Sequence, residues 1–284
     1  MMTPVTIRTM IELTIDGSTV SVPEGSTVLD ACNEAGVETP TLCFGQTLVP
    51  QNACRVCMVE VTGARVLVPA CQRKVEAGME VQTDSGRVRH SRKLVLEFLA
   101  SSVDTSTAPD LQRFAARYGA EPERFARGRT VAQPARIDNQ AYVRDYGKCI
   151  LCYKCVQACG WEWQNTYAIA VAGRGFGAHI AVEYESDLPD SACVYCGNCV
   201  AVCPTGALMP KTEYDLRQAG TWDDSQQTRT DTICPYCGVG CTLTLHVQNN
   251  RIVKVTSPFE HDITHGNLCV KGRFGWDYVF AGLD

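Results

Sequence analysis

Two cysteine runs, separated by 33 residues, constrain this chain more than any other feature. The first reads Cys149-Ile-Leu-Cys152-Tyr-Lys-Cys155-Val-Gln-Ala-Cys159, and the second Cys193-Val-Tyr-Cys196-Gly-Asn-Cys199-Val-Ala-Val-Cys203, followed by Pro204. Both follow C-x2-C-x2-C-x3-C. Three thiols two residues apart let a tight loop wrap three corners of one inorganic cube. The fourth, three residues on and entering a helix, points away to a second cube. C-x2-C also suits zinc, but zinc sites rarely need a third cysteine at the same spacing and a fourth in trans.

Each run has the spacing of bacterial two-cluster ferredoxins. One 4Fe–4S cluster is then expected on Cys149, Cys152, Cys155 and Cys203, and another on Cys159, Cys193, Cys196 and Cys199. The chain has 17 cysteines, which sort into four sets of four and leave only Cys32. Residues 1–10 lack the apolar core or paired arginines of an export signal. A cytoplasmic location is therefore expected, where cysteines in such number point to metal rather than disulfides. A net charge of −5 gives no reason to expect a nucleic-acid partner. No apolar run approaches the ~20 residues of a membrane span.

Near the N-terminus, Ile11–Ile15 and Thr19–Val22 alternate apolar residues around Asp16-Gly17, predicting a hairpin. Thr27-Val-Leu-Asp30 is a capping-box pattern opening a short helix closed by Gly36, with Cys32 as a buried structural thiol inside it. Then come Cys43, Cys54, Cys57 and Cys71, with strands predicted over 58–61 and 66–69. In Asn52-Ala-Cys-Arg-Val-Cys-Met-Val-Glu-Val61 and Pro69-Ala-Cys-Gln72, residues 8–83 resemble the N-terminal ferredoxin domain of the complex I large iron–sulfur subunit, NAD-reducing hydrogenases and NAD-dependent formate dehydrogenases. The resemblance implies a β-grasp domain with a 2Fe–2S cluster on those four cysteines. It also implies a further 4Fe–4S cluster on H-x3-C-x2-C-x5-C, but no cysteine occurs between 72 and 148. That cluster is expected to be absent, and His90 to be a solvated helix residue.

Residues 88–99 are predicted helical, with apolar side chains at Leu94, Val95, Phe98 and Leu99, and Asp110 is predicted to cap a second helix ending near Gly119. Residues 120–140 read as a linker whose arginines (Arg124, Arg127, Arg129, Arg136) make a solvated surface. Residues 167–172 and 179–184 suggest a hairpin across Gly173-Arg-Gly-Phe-Gly177. Tyr153, Trp161, Trp163 and Tyr195 flank the runs, and are expected to exclude water from the clusters.

The tail gives Cys234-Pro-Tyr-Cys237-Gly-Val-Gly-Cys241 and Cys269-Val-Lys-Gly-Arg273, enclosing strands over 243–247 and 252–255 joined at Asn249-Asn250. These motifs resemble the N-terminal 4Fe–4S domain of molybdenum or tungsten bis-pterin oxidoreductases, above all formate dehydrogenases. The resemblance implies a third 4Fe–4S cluster on Cys234, Cys237, Cys241 and Cys269. It also implies a cofactor-binding role for Lys271, as an electron relay towards the pterin.

The fold class is thus α+β and multidomain: a β-grasp 2Fe–2S ferredoxin (1–83), a helical linker (84–140), a two-cluster ferredoxin (141–215) and a small 4Fe–4S domain (231–284). Because no catalytic pterin site is present before Asp284, the resemblance implies an electron-transfer subunit of a multisubunit, NAD-dependent formate dehydrogenase. A pterin-containing catalytic partner would hold the molybdenum or tungsten, and a flavin/NAD diaphorase subunit would receive the electrons. The rival readings are the diaphorase-side subunit of an NAD-reducing hydrogenase, which does not end in this tail motif, and a zinc-binding structural scaffold.

Overall fold

The computed structural model describes residues 9–261 and 263–280. The chain divides into two compact units, one drawn from residues 1–44, 50–102 and 109–128, the other from 45–49, 103–108 and 129–284.

The first unit is built on a five-stranded sheet of order β2-β1-β5-β3-β4. Strands β1 (Met10–Ile15) and β2 (Ser18–Pro23) form the predicted hairpin, turned by Asp16 (φ 47°) and Gly17 (φ 86°). Two consecutive positive φ angles match the right-handed twist of the strands, which is why Asp-Gly serves there. Helix α1 (Val28–Glu34) starts at a complete capping box between Thr27 and Asp30. Strands β3 (Met58–Val61), β4 (Val68–Pro69) and β5 (Glu80–Gln82) complete the sheet, with β5 parallel to β1. Leu13, Ile15, Val28, Leu29, Cys32, Val59 and Val81 fill the core between sheet and helix.

Helix α2 (Gly86–Ser102) buries a different stripe from the one its apolar positions predict. Val88, Arg92, Leu96 and Glu97 face inward, whereas Leu94, Val95 and Leu99 are half-buried and Phe98 is exposed. The polar pair is tolerated there because both side chains find partners, although the buried Arg92 Nε has none among the described residues. Arg92 donates to the Tyr118 hydroxyl at 2.7 Å and to the Met58 carbonyl at 2.9 Å. Glu97 accepts from Arg124 at 2.8 Å and from the Glu121 amide at 3.1 Å. Helix α3 (Pro109–Tyr118) opens with proline, placing Asp110 in its first turn rather than at the cap.

In the second unit, β6 (Tyr142–Arg144) pairs antiparallel with β9 (Leu208–Pro210). Between them run α4 (Lys154–Cys159), the short pair β7 (Ala170–Ala172) and β8 (His179–Ala181), and α5 (Asn198–Ala201). The β7–β8 hairpin is shorter than predicted because Tyr167 and Tyr184 both take positive φ, outside the strand region. Helix α6 (Lys211–Gln218) leads to an antiparallel sheet of β10 (Thr228–Ile233), β11 (Thr242–Gln248) and β12 (Arg251–Thr256), followed by α7 (Val270–Phe274). Asn249 and Asn250 turn β11 into β12 with φ 51° and 60°. Strand β10 carries no apolar alternation, and all six of its residues are exposed. Among the described residues no helix is long and apolar enough to cross a membrane.

Candidate cluster-binding sites

The first unit gathers Cys43, Cys54, Cys57 and Cys71, all buried. The Cys54 amide donates to Cys43 Sγ at 3.5 Å. Cys43 neighbours Cys54 and Cys57 neighbours Cys71, so the four thiols form two close pairs. In each pair one thiol is drawn down by its neighbour, Cys43 to about 6 and Cys57 to about 7, while the other is driven up. Two pairs of soft sulfur donors suit two irons with two thiolates each, so the donor set fits a 2Fe–2S group.

The second unit repeats one loop twice. Leu151 (φ 52°) and Tyr195 (φ 54°) each follow the first cysteine of a run by two residues, and each donates its amide to that cysteine's sulfur at 3.4 Å. Tyr153 and Gly197, which cap α4 and α5, also share positive φ, at 64° and 70°. Non-glycine residues held there cost of order 1–3 kcal/mol apiece. The loops accept that cost to turn N–H groups onto sulfur.

Beneath each loop lies an apolar cavity. One is lined by Cys149, Cys152, Cys155 and Cys203, with Tyr146, Ile180 and Leu208. The other is lined by Cys159, Cys193, Cys196 and Cys199, with Tyr142, Ile169 and Gly197. Each therefore brings together three thiols of one run and the last thiol of the other. Burial pushes Cys149 up to about 11 and Cys152 up to about 12, and raises Cys155 and Cys199 further. Such thiols carry no charge at neutral pH unless a cation compensates it. Soft donors around a dry cavity fit a cubane.

The aromatic lining differs from expectation. Trp161 is 72% exposed and cannot screen a cluster. Trp163 is half-buried and donates to Thr47 Oγ1 at 3.1 Å. Tyr153 and Tyr195 are half-buried, Tyr153 among the residues lining the first cavity. The buried rings are instead Tyr142 and Tyr146, outside the four aromatics that flank the runs. The Tyr142 hydroxyl lies 3.3 Å from Cys193 Sγ, and burial raises its pKa so that it keeps its proton and donates. Their signal in the sequence is two tyrosines in the residues leading into Cys149.

The last set is more open. Cys234 is buried and Cys241 half-buried, while Cys237 and Cys269 are exposed. Burial raises Cys241, and the nearby Cys234, Cys237 and Cys269 add to that, so the four sulfurs share one neighbourhood. That donor set also fits a cubane. Lys271 is exposed, its Nζ 6.0 Å from the centre of the Tyr236 ring. Among the described residues no three His, Cys, Asp or Glu side chains are grouped as they would be around a single metal ion. A cluster spreads its thiolates over separate irons and needs no such convergence. His90 is exposed in α2.

Residues 8–86 match the 2Fe-2S iron-sulfur cluster binding domain, 148–207 the 4Fe-4S dicluster domain, and 227–280 the molybdopterin oxidoreductase Fe4S4 domain. The chain is a series of iron–sulfur domains. It is 35% identical over 279 residues to one subunit of an NADH-quinone oxidoreductase of Rhizobium meliloti, covering 95% of this chain and 32% of the relative. The alpha subunit of the NADPH-Fe(3+) oxidoreductase of Geobacter sulfurreducens is 34% identical, with the same two coverages. The HndD subunit of the NADP-reducing hydrogenase of Solidesulfovibrio fructosivorans is 40% identical over 212 residues, 70% of this chain and 36% of the relative. The chain thus spans 32–36% of the length of these relatives. A chain of an NAD⁺-reducing NiFe-hydrogenase shares the fold, with TM-score 0.63 and 24% identity over 71% of this chain and 87% of that one.

Proposed function

We propose that this chain is an iron–sulfur electron-transfer subunit of a multisubunit, NAD-linked formate dehydrogenase, working between a pterin-bound molybdenum or tungsten and a flavin/NAD diaphorase subunit. The pterin metal would be held outside these 284 residues. The observation that carries the electron-transfer reading is the crossed thiol content of the two apolar cavities. Both cavities belong to one compact unit, and two cubanes that exchange a ligand-bearing cysteine between their loops are the arrangement of an electron-transfer pair. The formate end of the reading is supported by the match of residues 227–280 to a molybdopterin oxidoreductase domain.

The ligands in this reading are Cys43, Cys54, Cys57 and Cys71 for a 2Fe–2S cluster. Cys149, Cys152, Cys155 and Cys203 hold one 4Fe–4S cluster, and Cys159, Cys193, Cys196 and Cys199 another. Cys234, Cys237, Cys241 and Cys269 hold the third. When bound, these groups supply one-electron chemistry that protein side chains lack. The protein's own contribution is position and environment. Leu151 and Tyr195 direct amides at the first sulfur of each loop, Tyr142 directs a hydroxyl at Cys193, and Ile169, Ile180 and Leu208 keep water out. Such sulfur hydrogen bonds and solvent exclusion tune cluster potential. Lys271, exposed beside two exposed cysteines, presents a positive charge where a pterin partner would dock.

The test is to purify the native complex anaerobically and supply formate with NAD⁺. Formate-dependent NADH formation, with bleaching of the cluster absorbance by formate alone, is expected. A second reading, the diaphorase-side subunit of an NAD(P)-reducing hydrogenase, is favoured by the 40% identity to HndD across 70% of the chain. Hydrogen-driven NAD(P)⁺ reduction with no response to formate would select it.

A further inference from the structure

Arg273 stands four residues beyond Cys269, at the end of α7, and is only 3% exposed. Its Nε donates to the Cys196 carbonyl at 2.9 Å. Its Nη2 donates to Asn198 Oδ1 at 3.1 Å and to the Gly266 carbonyl at 3.2 Å. Asn198 Oδ1 also accepts the Leu268 amide at 3.1 Å. One guanidinium and one carboxamide therefore tie the Cys196–Cys199 loop to the turn that delivers Cys269. The fit is close, since a Cβ on Gly197 would lie 2.3 Å from Arg273 Cδ and 2.8 Å from the Phe274 ring.

All three acceptors are neutral. Buried arginines are normally paired with a carboxylate. Among the described residues Arg273 forms no such pair; it is packed instead against ligand cysteines of two sets, through the Cys196 carbonyl, through Asn198 beside Cys199, and through its own amide, which donates to the Cys269 carbonyl at 3.1 Å. A guanidinium keeps its charge at neutral pH even when buried. Cys196 and Cys199 belong to one proposed ligand set and Cys269 to another.

We propose that Arg273 is a shared counter-charge for these two clusters, lifting both reduction potentials together. The inference rests on the ligand sets given above. Reduction adds one negative charge to a cluster, and a fixed cation in a low-dielectric surround stabilises the reduced form more than the oxidised. Because the same cation faces both, the two potentials move in step and stay matched for exchange. The cubane of Cys149, Cys152, Cys155 and Cys203 does not share it.

The experiment is an EPR-monitored redox titration of the purified complex, with iron and acid-labile sulfide measured on every sample. Arg273→Gln should lower two of the three cubane couples at least tenfold in reduction equilibrium, about 59 mV for a one-electron couple. The third cubane and the 2Fe–2S centre should stay where they were. Arg273→Lys, which keeps the charge and loses the fork, should hold both potentials within about threefold of wild type, less than 30 mV. Asn198→Asp keeps the bridge but neutralises the cation, and should reproduce the drop even if the glutamine variant sheds a cluster. Unchanged potentials in Arg273→Gln or Asn198→Asp at full iron content would overturn the proposal, as would equal shifts in the lysine and glutamine variants. Wild-type protein short of the iron and sulfide for two cubanes would instead contradict the ligand sets.

Discussion

Acidification should loosen the C-terminal sheet through one histidine. His246 lies in β11 directly across from Arg229 of β10 and Lys254 of β12. It is 8% exposed, and its Nε2 lies 2.9 Å from Thr256 Oγ1. Burial first, then the cations Lys254 and Arg229, lower its pKa from 6.5 to about 4, outweighing the opposing pull of Glu213 and Asp224. The folded chain therefore holds the neutral ring while the unfolded chain takes up a proton between those two values. This contribution to stability is complete above about pH 6.5 and is lost as pH falls towards 4. Between pH 7.5 and pH 5 the linkage relation gives a loss of about 2 kcal/mol. Hydrogen exchange of the β11 and β12 amides, corrected for intrinsic rates and measured anaerobically, reads it directly. In His246→Gln, which stays neutral and can still reach Thr256, that part of the pH dependence should vanish. Identical pH profiles for the variant and the wild type would refute the reasoning.

Three further outcomes follow from the geometry. Tyr142→Phe removes the hydroxyl beside Cys193. If about a third to a half of a charge-assisted bond worth about 1.5–3 kcal/mol is specific to the reduced state, one cubane potential should fall by on the order of 40 mV, read by redox titration. Cys203→Ser should cost about four irons per chain from the cubane of Cys149, Cys152 and Cys155, and Cys159→Ser the same number from the other, because each run lends its last thiol. Glu97→Ala leaves the Glu121 amide and the half-exposed Arg124 without their acceptor, and should destabilise the first unit by about 2 kcal/mol in denaturant unfolding.

Where a local rule with a fixed geometry applies, the chain can be read directly. Asp16-Gly17, the Thr27–Asp30 box and Asn249-Asn250 each impose a specific turn or cap, and the structure has all three. The cysteine spacings likewise place the sulfurs of two runs into two mixed groups. What depends on tertiary partners is not legible. Arg92 and Glu97 are buried where Tyr118, Met58, Arg124 and Glu121 bond them, and no periodicity in α2 announces that. Strand β10 is recruited by backbone pairing with β11 and a Thr244–Asp231 hydrogen bond rather than by apolar burial, so it leaves no hydrophobic trace. Trp161 looks like cluster packing from its neighbourhood in sequence, yet it projects into solvent while Tyr142 and Tyr146 line the cavities.

The central claim, that this chain holds a set of electron-carrying clusters, is tested most directly by iron and acid-labile sulfide per chain in anaerobically purified complex, with zinc measured alongside. One 2Fe–2S and three 4Fe–4S centres predict about fourteen irons with matching sulfide. Zinc in place of iron, with little sulfide, would contradict the account.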